Sequence, residues 1–201
     1  MKNFAILAVL VPISVFQVTA QTESFKFASD VVWSLQTCKI ADDRLKASSS
    51  DDPVIMMKDL LVYSNGIKQA NLFLDTHRES QDTMIRGSAD ILSNLFSAIE
   101  RNNQSLVAFI EETLNNSEVA KSKEGTRSRK LSEHAAASEE LWRMFPIAIA
   151  GVTHALVDSK SGMVNSIVLE SLSQSSKNCP TSSPIFLAGK LPKALRLDNF
   201  L

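Results

Sequence analysis

Apolar side chains return at alternating steps of four and three along most of this chain. Met56, Leu60, Tyr63, Ile67, Ala70 and Leu74 form one such series, and that spacing lines residues up on a single face of a helix. Leu92, Phe96, Ile99, Asn103, Leu106 and Ile110 form a second, with one polar member. A third runs through Leu131, Ala135, Ser138, Trp142, Phe145, Ile149, Val152 and Leu156, where Ser138 is small enough to sit between packed helices. Thinner stripes occur at Val31, Leu35, Cys38 and Leu45, and at Val164, Val168 and Leu172. Period two is not sustained anywhere. The pattern predicts an all-α chain, a four- or five-helix antiparallel bundle whose sevenfold spacing favours shallow crossing angles.

The boundaries carry chemical signals. Asp51-Asp52-Pro53 places an aspartate cap before a proline at the first helical position, so a helix is expected to start there. Arg86-Gly87-Ser88-Ala89-Asp90 combines a glycine stop with a serine cap and predicts a chain reversal; the polar run "DTHRESQDT" just before it competes for that role. From Asn115 to Ser128 the chain is polar, contains a glycine and lacks an apolar stripe, which predicts an exposed loop, and Ser159 to Gly162 predicts another. Asn65-Gly66 and Pro146 sit inside stripes that otherwise continue, so each is expected to kink its helix without ending it.

The chain opens with Lys2, an apolar run from Phe4 to Phe16 and the small-residue pattern Val18-Thr19-Ala20. Residues 1–20 read as a secretory signal peptide cleaved after Ala20. A membrane anchor is the rival, but Pro12 and Ser14 interrupt the run and it falls short of the roughly 20 residues that span a bilayer. The richest later stretch, "MFPIAIAGVTHALV", breaks at His154. A secreted, extracellular protein without stable membrane insertion is expected, or a periplasmic one if the source is bacterial. In such a compartment two cysteines suggest one disulfide, and only Cys38 to Cys179 is available within the chain. It would join the first helix to a point just past the fifth, closing a loop for which chain entropy predicts about 4–5 kcal/mol of stabilisation. Residues 21–179 then form the helical bundle domain. Residues 180–201 follow as an irregular C-terminal arm or tail, since Pro180, Pro184 and Pro192 prevent a long helix; its Phe186, Leu187, Leu191, Leu195 and Leu197 could pack along the bundle or bind a partner.

Charge and chemistry narrow the function classes. Removing residues 1–20 takes away one basic side chain and moves the formal charge from −1 to −2. That balance lacks the basic excess that phosphate backbones require, so nucleic acid is not an expected partner. His77, His134 and His154 belong to no metal-ligand pattern, and His154 with Asp158 supplies only two groups on one face. No nucleophile elbow or phosphate loop occurs. The adjacent pairs Glu111-Glu112 and Glu139-Glu140 point about 100° apart on a helix, so neither converges on one substrate atom. No catalytic residues, metal site or cofactor are expected, and the chain reads as a non-enzyme.

Two sequons differ in setting. Asn115 opens the polar loop and is a candidate for glycosylation, whereas Asn103 falls on the apolar stripe and should point into the bundle. Arg127-Ser128-Arg129-Lys130 ends that loop as a basic cluster, read chiefly as solvated charges. Two functions follow. One is an interaction or structural protein with an unidentified protein partner. The alternative is an extracellular carrier of a small apolar ligand, held in an inter-helical cavity lined by Met56, Met57, Tyr63, Trp142 and Phe145.

Overall fold

The computed structural model describes residues 4–48, 50–115, 124–158 and 166–177, with side chains described from Glu23, Arg129 and Leu169 onward in the first and last two helices. Among the described residues five α-helices follow one another: α1 (Phe4–Ala47), α2 (Pro53–Leu72), α3 (Thr83–Asn115), α4 (Glu124–Asp158) and α5 (Ser166–Lys177). No strand occurs among the described residues, and none of their helices is long and apolar enough to cross a membrane. Each helix touches its neighbours in a closed order: α1 on α2, α2 on α3, α3 on α4, α4 on α5, and α5 back on α1. This is the all-α bundle that the periodicity predicts.

The stripes turn inward. All six members of the α2 series are buried, as are the six of the α3 series, Asn103 included; on α4 the same holds except at half-buried Ala135. Phe27, Ala28, Val31, Leu35, Cys38, Ala41 and Leu45 supply the α1 face. A fully buried side chain of the Leu, Val or Phe class contributes about 1.5–3 kcal/mol by leaving water, so these series dominate the stability of the fold.

The start of α2 is as the residues predict. Asp52 Oδ1 accepts from the Val54 N–H at 2.8 Å, and Pro53 opens the helix where its missing donor is harmless. The helix then continues through Asn65-Gly66. A Cβ placed on Gly66 would lie 2.5 Å from Ala41 Cβ, so the glycine is what lets α2 approach α1 at this level. Similarly, α4 continues through Pro146, whose ring faces solvent. Proline has no N–H to donate to the carbonyl four residues back, at Trp142, and the helix continues past that missing bond.

Two boundaries differ from expectation. The reversal between α2 and α3 is not at Arg86–Asp90 but in the competing polar run, where Asp75–His77 makes one 3-10 turn and Asp82 caps α3 by accepting from Met84 N at 2.8 Å and Ile85 N at 3.3 Å. Gly87 lies inside α3 with no atom within 4 Å of where its Cβ would be. The reason is tertiary. His77 is buried, its ring meets Phe27 at 5.1 Å and its Nε2 lies 2.7 Å from Asp30 Oδ2, while Ser80 donates to Glu23. These contacts fix the turn against α1, which a local glycine signal cannot do. The second difference is the polar loop: α4 begins at Glu124, before Ser128. Residues 116–123, 159–165 and 178–201 lie outside the described residues, and so do the second predicted loop, Cys179 and the C-terminal arm.

Candidate functional site

The residues predicted to line a ligand cavity lie in or against the core. Tyr63, Trp142 and Phe145 are each 1% exposed, Met56 is buried, and half-buried Met57 packs against the same cluster. Phe145 stands edge-on to Phe96 with centroids 5.3 Å apart and lies 5.3 Å from Trp142, a geometry that adds about 0.5–1.5 kcal/mol per pair to simple burial. The structure therefore brings Trp142 and Phe145 together with Phe96 between α3 and α4. Tyr63 and Met56 belong to α2, which packs on α1 and α3.

An apolar concavity lies elsewhere, on the outer side of the α3–α4 pair. It has a volume of about 430 Å³. Leu95 and Ala148 are nearly buried and form its base, Ile91, Met144 and Ile147 stand exposed around it, and Ser88 and Gly151 complete the lining. Steps of three and four place Ser88, Ile91 and Leu95 on one stripe of α3. Met144, Ile147, Ala148 and Gly151 form the matching stripe of α4, and both stripes lie off the core-facing series. Exposure is 61% at Ile91 and 62% at Ile147, so the apolar surface is open to water. No atom lies within 4 Å of a Cβ built on Gly151, and the missing side chain leaves that end of the groove unfilled.

Polar groups along the same seam position the two helices. Asn102 on α3 donates from Nδ2 to the His134 carbonyl at 3.4 Å, and its Oδ1 lies 3.2 Å from His134 Nδ1. Lys130 Nζ stands 5.3 Å from the centre of the Phe109 ring. Burial pushes the His134 imidazole below its usual value; Glu133 opposes that shift and Lys130 reinforces it. On α1, burial raises the Asp42 carboxyl above its usual value, although Lys46 Nζ donates to it at 2.7 Å and opposes the shift. Neither group lines the α3–α4 concavity.

The remaining sequence candidates separate. Cys38 is buried on α1 and Cys179 lies outside the described residues. A small cleft lined by Leu35, Gln36 and Lys39 of α1 and Ser171, Gln174 and Ser175 of α5 sets the end of α5 beside the turn that carries Cys38. Asn115 ends α3 and is exposed, whereas Asn103 is 1% exposed and its Nδ2 finds no hydrogen-bond partner. Among the described residues no three His, Cys, Asp or Glu side chains gather as metal ligands.

No family model, curated protein or solved structure matches the chain. What the arrangement can do chemically rests on the groove, whose lining offers apolar contact, one serine hydroxyl and no titratable group. Its sequence signal was present: Ile91, Met144 and Ile147 are large apolar residues at positions that the core stripes leave facing out.

Proposed function

We propose that this protein is a secreted interaction module whose α3–α4 groove docks an apolar segment of a protein partner. The observation that carries the reading is a continuous apolar groove flanked by Ile91 and Ile147, each more than half exposed. Apolar patches of this kind mark interaction sites on soluble proteins, and a groove between two helices suits the apolar face of an added helix or short peptide. The volume also falls within the range of small-ligand pockets, which keeps an apolar-ligand carrier as the alternative. Carriers, however, bury some 70–90% of a ligand's surface. An open groove covers its occupant from one side only, and this favours the protein partner.

The test is a comparative capture from the native secretion with the full chain and an Ile147→Asp variant, both checked for equal helicity and melting. A protein retained by the first and lost from the second, then shown to bind directly in purified form, supports the reading. Retention of lipid in the same groove-dependent way moves the assignment to the carrier, and capture that ignores position 147 refutes both.

Export through residues 1–20 is part of the proposal, and N-terminal sequencing of the exported protein should find Gln21 first. A secreted chain that keeps Met1 would overturn it. The Cys38–Cys179 disulfide is proposed with it: Cys179 follows the end of α5 by two residues, and α5 lies along α1 on both sides of Cys38. Peptide mapping without reductant should recover the two cysteines linked. Two alkylatable thiols in freshly secreted material would sink the pairing.

A further inference from the structure

We propose that the outer face of the α1–α2 pair adsorbs to an anionic phospholipid surface. The inference is independent of the α3–α4 groove. It concerns adsorption and not insertion, since none of the described helices is long and apolar enough to cross a membrane.

The first observation is that α2 is apolar on both sides. Besides its buried series, Val54, Ile55, Leu61, Val62, Leu72 and, just past its end, Phe73 are each more than a third exposed. A helix that is apolar all round is ordinarily buried all round. The bundle covers only one face of this one, and exposed apolar patches on soluble proteins mark partner or membrane contacts.

The second is that α1 extends the patch. Asp30 pairs with His77, Ala41 meets Gly66, and Ser48 donates to Asp59, so the two helices run antiparallel with Trp33 near the level of Phe73 and Ile40 near that of Ile67. At about 100° per residue, Trp33 and Ile40 stand on the solvent side of Ala41, and Ile55, Val62 and Phe73 stand on the solvent side of Gly66. Trp33, Ile40 and Val62 are each more than half exposed. The outer edge of the α1–α2 seam is therefore apolar on both helices.

The third is charge. Lys58 and Lys68 alternate with Leu61 and Leu72 along the outer line of α2, and Lys26 and Arg44 share the outer edge of α1 with Trp33 and Ile40; all four basic residues are exposed. The acids of the seam, Asp30 and Asp59, are half-buried and bonded to His77 and Ser48, and exposed acids flank the patch at the ends of α2, at Asp51, Asp52 and Asp75. Aromatic and aliphatic groups among basic side chains suit a headgroup boundary, where lysine stems lie along the apolar surface while their ammonium groups reach phosphate. A protein partner would need acids at matching spacing, whereas a lipid surface supplies phosphates that move to the charges. This favours the lipid.

Trp33 reports on the contact, because the chain has two tryptophans and the other, Trp142, is buried. The exported chain is titrated with vesicles of phosphatidylcholine alone or mixed with phosphatidylserine, and sedimentation with the vesicles is measured beside tryptophan emission. The expected result is binding to the mixed vesicles that weakens as salt is raised, with a blue shift that Trp33→Phe removes while binding persists. Lys58→Gln/Lys68→Gln should lower the affinity about 30-fold, at roughly one factor of five per lysine. Val62→Asp, at an exposed position, should also weaken binding, and Ile147→Asp should not; helicity and melting are checked in each variant. Equal binding to both kinds of vesicle, or no binding to either, overturns the proposal and leaves the α3–α4 docking reading untouched. Binding lost in Ile147→Asp but kept in Val62→Asp overturns it by moving the lipid to the α3–α4 groove. Binding that persists equally in every variant belongs to another part of the chain and overturns it too. A blue shift that grows with protein concentration in the absence of vesicles, with a doubled mass in sedimentation, overturns it in favour of a second copy of the chain.

Discussion

Gly66 in α2 and Gly151 in α4 each sit well inside a helix, where glycine costs about 1 kcal/mol relative to alanine, and the two seams they belong to differ in what the missing side chain achieves. At Gly66 an added methyl would meet Ala41 Cβ at 2.5 Å, so the glycine draws α1 and α2 into contact. At Gly151 an added methyl meets nothing within 4 Å, and the absent side chain leaves the outer edge of the α3–α4 seam open. The inner edge of that seam is the reverse, filled by Phe96, Trp142 and Phe145. One pair of helices is closed along its contact. The other is closed on the core side and open on the solvent side, and the open side is where a binding function has room.

The strongest way to test the contrast is to damage the closed side of the α3–α4 seam. Phe145→Ala removes a side chain that is 1% exposed and touches two aromatic rings, so a loss of about 3–5 kcal/mol is expected from transfer and cavity together. Denaturant unfolding measures it. A loss below about 1 kcal/mol would mean that the seam relaxes around the void and is not the tightly filled contact described here.

How much of this could be read from the sequence follows the same division. The closed contacts were legible because the burial of a stripe depends only on its own helix: every residue of the α2 and α3 series is buried. Asp52-Pro53 was legible for the same local reason. The α2–α3 turn was not, since Gly87 and Asp82 both offered plausible local chemistry and the decision lay with Asp30, Phe27 and Glu23 on another helix. Nor was the role of Gly66, which needs Ala41 opposite it. The predicted cavity set named the core aromatics, because large side chains on a stripe look alike whether they line a cavity or fill it. The groove residues stood off-stripe as scattered apolar positions until the pairing of α3 and α4 brought them together.

A substitution at Gly66 tests the closed α1–α2 contact. Gly66→Ala gains about 1 kcal/mol of helix propensity but forces a clash worth about 1–3 kcal/mol, for an expected net loss of about 1–2 kcal/mol. Ala41→Gly removes the clashing methyl, and the backbone carbon left behind is 3.7 Å away, an ordinary contact. The double variant should therefore be more stable than the sum of the two single changes, as coupled neighbours are. Additivity of the two would show that the glycine is not there for the contact.

The open seam predicts a gain instead. Gly151→Ala and Gly87→Ala both add a methyl into free space within a helix, and each should stabilise by about 0.5–1 kcal/mol. Only the first methyl enters the groove lining. Partner binding should weaken in Gly151→Ala and stay unchanged in Gly87→Ala. Equal binding in both would separate the groove from the binding function.

The smallest effect expected comes from the polar end of the α3–α4 seam, at His134. Burial holds its folded value below the ordinary imidazole value, so at mildly acidic pH the unfolded chain takes up more protons than the folded one. The stability associated with neutral His134 is then fully present above about pH 6.5 and declines as the pH falls through and below that point. His134→Gln keeps an amide within reach of Asn102, which spans the seam to this position, and removes the titration. Denaturant midpoints measured between pH 7.5 and 5 should fall more steeply for the unmodified chain than for the variant, and the difference between the two curves isolates His134 from the other titrating groups. Because the side chain is only half-buried, solvent screens the effect and the gap stays small. A midpoint difference that widens in the opposite direction on acidification would mean that protonated His134 is stabilised by the seam, and the closed polar end of the α3–α4 contact would then have to be described as an ion-pairing site instead of a desolvated one.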